Sequence, residues 1–392
     1  MNLLTRNIAV FLYIIISVMY APLAFAQKNS LQSYVYIGTF SKDYAKMTFQ
    51  KTPALNKLEA KYTLNLYKIR YLTPAPNGKM TVASGLVAMP ASPADKVSIV
   101  SYMHGTRVFR SDVPSNNDVK NYIYPALFGS YGGYMLVMPD YLGMGDSELL
   151  LHPYVDAETL ASSSIDMITA SKELAQILHY PVNDKLFLAG YSEGGFTTMV
   201  TYEALLKNHR ELPVAAVAPG SAPYDWDETI HFITYEPGPR ATSYLAFFFY
   251  SMQTYNHYWS GLDGIFKKPY NTLVPVLFDG THQAPEIMQA LPTDPQLIFQ
   301  DGFIESIMNG TDPSVETMKM NMNHYDFTST SPLLLVGTKG DHDVPYHGSE
   351  IAYEVLKKKS NNVHIKSVSD VLDHIEAGPY VMKEQLEFFQ KY

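Results

Sequence analysis

The sequence predicts an α/β fold with a mostly parallel central sheet, and three observations carry this prediction. Short apolar runs such as VSIVSYMHG, from Val97, and YMLVMPDYLGMG, from Tyr134, end in glycine-containing loops, as buried strands often do. Helical patterns lie between such runs, most clearly over 157–179, where apolar side chains fall on one face. Strands alternate with helices along most of the chain. This alternation favours parallel pairing, because each helix returns the chain to the end of the sheet where the previous strand began.

The first strands of the sheet have the pattern of a hairpin. YTLNLYKIRYL, from Tyr62, and MTVASGLVAMP, from Met80, alternate apolar and polar residues, and PAPNGK between them contains turn residues. We therefore expect two edge strands here. The further predicted strands are the two runs above and then LFLAG, PVAAVAPGSA, SPLLLVGTKGDHD and VHIKSVSD, followed by a last helix near 379–390.

The composition is that of a globular protein with a sizeable core. Of 392 residues, 46% are hydrophobic and 17% are charged. The net charge is −9, and the lysine run 357–359 lies near the end of a predicted helix, where cations are favoured. Nucleic acid is therefore not an expected partner. The chain has no cysteine, so packing rather than disulfide bonds must hold the fold together.

The N-terminal segment 1–26 has the three parts of a secretory signal peptide. Arg6 lies near its start, an apolar run spans 8–19, and the small-residue motif AFA precedes Gln27. The apolar run is short for a helix that spans a bilayer. We expect cleavage after Ala26 and a secreted or periplasmic protein, with an uncleaved N-terminal anchor as the alternative.

The rest of the chain divides into an extension, a core in two parts and an insertion. The extension, 27–60, is polar and aromatic without a clear period, and the core is predicted over 61–223 and 329–392. Between the two core parts, 224–328 has no convincing strand and is rich in aromatic residues, with TSYLAFFFYSMQTYNHYW at its centre. We interpret this insertion as a helical cap over the functional site. The alternative is an inserted domain with its own core and no role in catalysis.

The stretch LFLAGYSEGGF, from Leu186, is the strongest candidate for a functional site. An apolar strand runs into a glycine-flanked serine, Ser192, and a helical pattern follows at once. A serine at a sharp strand-to-helix turn projects above the sheet, and neighbours without a Cβ let the backbone pack closely. The GxSxG spacing therefore predicts a nucleophile at Ser192, against the alternative of an ordinary turn serine.

A nucleophilic serine needs an imidazole that accepts its proton and returns it to the leaving group. Four histidines follow the predicted strand that ends near Val336. His342 and His347 share the loop that supplies the candidate acid, and His364 lies within a predicted strand. His374 is on a separate loop after a strand, so we predict that His374 is the base, with a surface histidine as the alternative.

The carboxylate that would orient this imidazole is expected in GTKGDHDVPYH. Asp341 is preferred to Asp343 because it lies nearer the strand end, but both remain open. Asp370 and Asp373 are less suitable, since they share the loop of the histidine. The Asp and His residues of GDHDVPYH match no metal-binding spacing, and we expect neither a metal nor another cofactor.

Backbone N–H groups are expected to stabilise the oxyanion that forms on the attacked carbonyl. Glu193 directly follows the serine and supplies one candidate N–H. Thr106, in the HGT turn after the strand that ends near Tyr102, supplies the other, with an ordinary turn as the alternative.

Seven motifs occur together in an order that resembles a known family. They are YMHGTRVFRSDVPS, MPDYLGMGDS, LHPYVDAETLASSSIDMITA, LAGYSEGG, VAPGSAPYD, GTKGDHDVP and DHIEAGP. From about Tyr62 to the C-terminus the chain resembles α/β hydrolases, and within them the secretory lipase family, whose members carry a helical lid. The resemblance implies an α/β-hydrolase fold with helices on both faces of the sheet and a cap. It also implies Ser192 as nucleophile, Asp341 as acid and His374 as base.

The leading functional hypothesis is a secreted serine esterase or lipase that forms an acyl-enzyme on small esters or lipids. The cap aromatics are expected to line an apolar acyl site or to face a lipid interface in transient contact; they are Phe247, Phe248, Phe249, Tyr250, Tyr255 and Trp259. A peptidase of the same fold is the alternative enzyme, with Glu228, Glu236 and Asp263 available to hold a peptide N-terminus. A non-catalytic binding protein on the same scaffold is the alternative of another class.

Overall fold

The computed structural model describes residues 30–116, 118–209 and 211–392. The predicted signal peptide, 1–26, and its cleavage after Ala26 lie outside these residues. Within the described ranges, no helix is both long and apolar enough to cross a membrane.

Nine strands form one sheet in the order β1-β2-β3-β5-β4-β6-β7-β8-β9. The pairs from β1 to β3 and the pair β3–β5 are antiparallel, and all pairings from β5 through β9 are parallel. The predicted α/β fold with a mostly parallel sheet is therefore confirmed. The strands are β1 Leu31–Phe40, β2 Leu64–Pro74, β3 Met80–Pro90, β4 Val97–Met103, β5 Met135–Pro139, β6 Val182–Tyr191, β7 Val214–Gly220, β8 Leu333–Gly337 and β9 Val363–Ser367.

The helices connect these strands and fill the insertion. In chain order they are α1 Lys42–Lys51, α2 Ala157–Ile177, α3 Glu193–Asn208, α4 Trp226–Tyr235, α5 Ala241–Asn256, α6 Tyr270–Leu277, α7 Ala284–Ala290, α8 Phe303–Met308, α9 Val315–Met322, α10 Tyr346–Lys359 and α11 His374–Phe389. Pro125–Tyr131 is a π-helix before β5.

The N-terminal extension is part of the sheet, which the sequence pattern did not indicate. β1 pairs antiparallel with β2, from Leu31 opposite Tyr71 to Phe40 opposite Leu64. Residues 32–36 of β1 are exposed on both faces, so the strand lacks the apolar alternation that identifies half-buried strands. The prediction that the β2–β3 hairpin forms the edge of the sheet is therefore wrong. β1 is the edge strand, and the hairpin lies one strand inside it.

The sheet is covered on both faces, and β6 shows why its sequence is continuously apolar. Leu186 and Leu188 belong to one hydrophobic cluster, and Phe187 belongs to the cluster on the opposite face. Successive side chains of a strand point to opposite faces, so a strand buried on both sides needs apolar residues at every position. α2 contributes to the first cluster and α11 to the second.

The insertion is helical and shares its core with the sheet. Between β7 and β8, the described residues contain no strand apart from one isolated bridge, Phe266 to Phe299. Buried cap residues such as Trp226 and Phe249 belong to the same hydrophobic cluster as Leu188 of the sheet. The insertion therefore has no core of its own that is separate from that of the sheet.

Candidate active site

Ser192 sits at the bend between β6 and α3, in a backbone conformation that L-residues rarely adopt. Its φ is 61° and its ψ is −126°. The Ser192 N–H donates to the carbonyl of Gly220 at 2.9 Å, and the Ser192 carbonyl accepts the Gly195 N–H at 2.8 Å. Such strain persists only where the surrounding structure holds the residue in place, and functional sites are a common location for it.

Two glycines make this bend sterically possible. A Cβ on Gly194 would lie 2.0 Å from the carbonyl oxygen of Met103, and a Cβ on Gly190 would lie 2.1 Å from that of Gly194. Both distances are far inside van der Waals contact. The first turn of α3 can therefore approach β4 and β6 this closely only with glycine at both positions.

The predicted base and the preferred acid lie together in the structure. His374 Nδ1 is 2.7 Å from Asp341 Oδ2, and each side chain is only 2% exposed. The other carboxylate oxygen, Asp341 Oδ1, accepts the N–H groups of Asp343 and Val344, each at 2.9 Å. Because a carboxylate oxygen accepts a hydrogen bond, Nδ1 of His374 carries the proton in this contact. The lone pair of Nε2 is not used by it. His374 Nε2 has no hydrogen-bond partner among the described residues.

Tyr191 holds His374 against the residue that directly precedes the serine. The Tyr191 hydroxyl donates to the carbonyl of His374 at 2.6 Å, and the two ring centroids are 4.9 Å apart. Tyr191 directly precedes Ser192 in the chain. Burial, together with the nearby Asp341 carboxylate, raises the pKa of Tyr191, so this phenol stays a neutral donor. His374 is the first residue of α11, which begins five residues before the predicted start near 379.

Asp343 has a different partner from Asp341. Its buried carboxylate forms an ion pair with Arg240 from the cap, and Arg240 also lies 3.2 Å from Asp373. Burial raises the pKa of Asp343, although His374 and Arg240 partly oppose this effect. The structure therefore brings Asp341, and not Asp343, to the histidine.

The HGT turn packs against the serine bend. A Cβ on Gly105 would lie 3.1 Å from the carbonyl oxygen of Tyr191 and 4.0 Å from Ser192 Oγ. Thr106 follows Gly105, and its Oγ1 is 3.0 Å from the hydroxyl of Tyr154. α3 begins at Glu193, so the Glu193 N–H has no partner within the helix. Both N–H groups predicted for an oxyanion site thus belong to segments that adjoin Ser192.

The sequence analysis considered only the backbone of Glu193, but its side chain makes a buried contact. Glu193 Oε1 lies 2.8 Å from His152 Nε2, and the side chains are 1% and 3% exposed. His152 Nδ1 lies 2.7 Å from the carbonyl oxygen of Leu142. The sequence carried one signal for a role of His152: it lies in LHPYVD, on the loop that follows β5.

An apolar cavity opens beside Ser192 and Glu193. It encloses about 600 Å³ of empty space, including its open mouth. Asp343 and Tyr154 also border it, and its apolar wall comes from the cap residues Trp226, Ile230, Ile233, Leu245, Phe248 and Met322.

Only one of the six cap aromatics expected at this wall lines the cavity. That residue is Phe248; the other five do not line the cavity, and their alternative role at a lipid interface stays a prediction. Phe247 instead stacks on Tyr154, with ring centroids 4.5 Å apart, and Phe249 packs on Trp259 inside the cap. The reason is that α5 is buried on several sides, so its consecutive aromatic residues point to different neighbours.

Three solved structures give the comparison with known proteins. A protein from Legionella pneumophila subsp. pneumophila, assigned as a hydrolase, is 61% identical with a TM-score of 0.92, over 92% of this chain and 98% of that one. The rice cell wall degrading esterase LipA from Xanthomonas oryzae is 24% identical with a TM-score of 0.82, over 91% and 97%. Candida antarctica lipase A is 15% identical with a TM-score of 0.64, over 92% and 83%. No protein-family model and no curated protein matches the chain.

Proposed function

This chain belongs to the α/β-hydrolase family, and we propose on that basis that it hydrolyses carboxylic esters through a serine nucleophile and an acyl-enzyme. The observation that carries the proposal is the buried His374–Asp341 contact, made through Nδ1 and packed against the residue that precedes Ser192. A histidine in this arrangement has its second ring nitrogen available for the serine.

In the proposed first step, Ser192 Oγ attacks the ester carbonyl carbon while His374 Nε2 takes the hydroxyl proton. Asp341 keeps the imidazole in the required tautomer and stabilises the imidazolium that forms. The N–H groups of Glu193 and Thr106 would donate to the oxyanion. The tetrahedral intermediate then collapses, His374 gives its proton to the leaving alkoxide, and the acyl group remains on Ser192.

Water completes the proposed cycle by the same route. His374 removes a proton from water, the resulting hydroxide attacks the acyl carbonyl, and the proton returns to Ser192 Oγ as the acid leaves. Each proton that His374 accepts is therefore given back within one half-reaction, and no cofactor is needed.

The cavity favours esters over peptides. Its wall is mostly apolar, as an acyl chain or aromatic acid requires. The three cap carboxylates that could hold a peptide N-terminus, Glu228, Glu236 and Asp263, do not line it. Glu228 instead lies 3.2 Å from His347. We therefore propose a small ester or a lipid as substrate, with transient contact of the cap with a lipid interface.

We further propose export of the protein, on the basis of the N-terminal segment. N-terminal sequencing of protein recovered from the periplasm or the medium is expected to begin at Gln27. A chain that still starts with the apolar run would support an anchor instead.

Labelling by a fluorophosphonate tests the proposed mechanism directly. Wild-type protein and the control Ser162→Ala are expected to label and to hydrolyse nitrophenyl esters, whereas Ser192→Ala is expected to do neither. A folded wild-type protein that never labels would favour the binding-protein alternative. A panel that includes aminoacyl anilides separates the enzyme classes, because turnover of anilides without any ester would favour a peptidase.

A further inference from the structure

The buried pair formed by Glu193 and His152 has no role in the mechanism above. Both nitrogens of His152 are occupied, Nε2 by Glu193 Oε1 at 2.8 Å and Nδ1 by the carbonyl of Leu142 at 2.7 Å. Buried charged groups without a partner are costly, and the second oxygen of Glu193, Oε2, has no hydrogen-bond partner within the described part of the chain. A pair retained at such a cost calls for a physical explanation.

The donors and acceptors require one shared proton. The carbonyl of Leu142 can only accept, so Nδ1 of His152 must carry a proton. A hydrogen bond between Nε2 and Oε1 then needs one further proton, either on the imidazole or on the carboxyl group. Without that proton, a lone pair would face a carboxylate at 2.8 Å and the contact would be repulsive.

The same carboxyl group holds the segment that leads to the other predicted oxyanion donor. Glu193 Oε1 also accepts the N–H of Val155 at 3.4 Å. Val155 has a φ of 54°, which a β-branched residue adopts only when its surroundings impose it. The neighbouring Tyr154 reaches Thr106 Oγ1 with its hydroxyl at 3.0 Å. Glu193 and Thr106 are therefore linked through the segment 152–155.

Cap residues also form hydrogen bonds to the segment 152–155. Ser251 Oγ, on α5, accepts the N–H of Tyr154 at 2.9 Å and donates to the carbonyl of His152 at 3.2 Å. Asn321, on α9, donates to the carbonyl of Val155 at 2.7 Å. The segment is thus hydrogen-bonded to the cap and to the start of α3 at the same time.

We propose that Glu193 is a positioning residue whose side chain, through the proton it shares with His152, sets the spacing of the Glu193 and Thr106 N–H groups. This inference rests on the proposed function, in which those two N–H groups bind the oxyanion. Loss of the contact would weaken stabilisation of the transition state more than binding of the substrate, and so lower kcat more than it raises KM.

Three titratable side chains around the pair stay neutral near neutral pH. Burial raises the pKa of Tyr141, which stacks on the His152 ring, and that of Tyr154. Burial and Arg107 lower the pKa of His104, which packs on Tyr141, to about 3. These three neighbours therefore add no charge next to the proton shared by Glu193 and His152.

Two substitutions at Glu193 test whether its contact with His152 is needed. Glu193→Gln keeps a donor for Nε2 that cannot titrate, whereas Glu193→Ala removes the contact but keeps the backbone N–H. With a nitrophenyl ester, we expect kcat of Glu193→Ala to fall about 10-fold to 100-fold with KM changed by less than about 3-fold. Glu193→Gln, which keeps the contact with His152, should retain more of the wild-type kcat than Glu193→Ala does.

The inference is overturned if Glu193→Ala turns over as fast as wild type, or if Glu193→Gln loses as much kcat as Glu193→Ala. If Glu193→Ala does not fold, Tyr154→Phe provides the test, because it removes only the contact to Thr106. We expect a lowered kcat with unchanged KM, and an unchanged kcat would contradict the proposal. Phosphonate labelling keeps the two hypotheses apart. Wild-type protein that does not label refutes the proposed function, whereas normal labelling together with a wild-type kcat for Glu193→Ala refutes only the role of Glu193.

Discussion

Two buried histidine–carboxylate pairs are present near Ser192, and they differ in one decisive respect. His374 and Asp341 are 2.7 Å apart, and His152 and Glu193 are 2.8 Å apart, with all four side chains at most 3% exposed. In the first pair the carboxylate binds Nδ1, and Nε2 has no partner among the described residues. In the second pair the carboxyl group binds Nε2, and a backbone carbonyl takes Nδ1.

The difference shows that burial and a carboxylate do not by themselves make a catalytic histidine. An imidazole must present one free nitrogen to accept and return a proton. His374 meets this condition, whereas both nitrogens of His152 are used in holding the structure. We therefore expect the first pair to move protons and the second to fix positions.

The largest expected effect separates the two histidines. His374→Ala removes the base and is expected to lower kcat about 10⁶-fold, as losses of a triad histidine do. His152→Ala removes only a positioning contact, so a loss of about 10-fold to 100-fold is expected. Steady-state hydrolysis of a nitrophenyl ester measures both. The exposed His364 supplies the control, His364→Ala, and similar losses in the two test variants would remove the distinction drawn here.

The two aspartates of the acid loop provide the next test. Asp341→Asn is expected to lower kcat about 10⁴-fold, because an amide can stabilise the wrong imidazole tautomer and carries no charge. Asp343→Asn weakens the ion pair with Arg240 and is expected to cost about 10-fold or less. Initial rates at saturating ester give the comparison, with Asp370→Asn as the exposed control. Equal losses for the two loop variants would assign both aspartates to catalysis.

The cavity borders Glu193 but neither His374 nor Asp341, so filling it should change substrate choice without changing proton transfer. Leu245→Trp is expected to lower kcat/KM for a long-chain ester about 10-fold to 100-fold and to leave an acetyl ester nearly unchanged. The pH profile should not move. Val276→Trp, at an exposed position of the cap, is the matched control. A uniform loss over all chain lengths would place the acyl group elsewhere.

His104 extends the comparison to a buried histidine that has no carboxylate. Its nitrogens face the carbonyls of Gly105 and Asp140, and burial lowers its pKa to about 3. Between pH 3 and the ordinary value of 6.5, the unfolded chain binds a proton that the folded chain does not. Stability therefore falls as the pH falls through this window, by about 2 kcal/mol between pH 6.5 and pH 5.

Denaturant unfolding at neutral and mildly acidic pH checks this expectation. In His104→Gln the free energy of unfolding should depend less on pH than in wild type, because the titrating group is gone. His364→Gln should retain the wild-type dependence. Parallel curves for wild type and His104→Gln would show that His104 does not contribute.

Much of this molecule could be predicted where the signal is local. The apolar runs of β4, β5 and β6 predicted buried parallel strands because both of their faces are covered. The bend at Ser192 was predictable because the steric demands of a tight bend are met by its neighbours in sequence. β1 was not predictable, since an exposed edge strand has no apolar pattern. The same holds for the cavity wall, where α5 distributes adjacent aromatics to different surroundings.

The sequence by itself determined which chemical groups are available: a serine at a bend that only glycine neighbours allow, and acids and histidines on loops after strands. These features follow from local sterics and from the order of the strands, both of which are written in the chain. Only the tertiary structure decided that His374 meets Asp341 and not Asp343, and that Glu193 meets His152 across 41 residues. Hydrogen bonds between distant segments depend on how the layers pack, and packing sums many weak contacts that no short stretch of sequence contains.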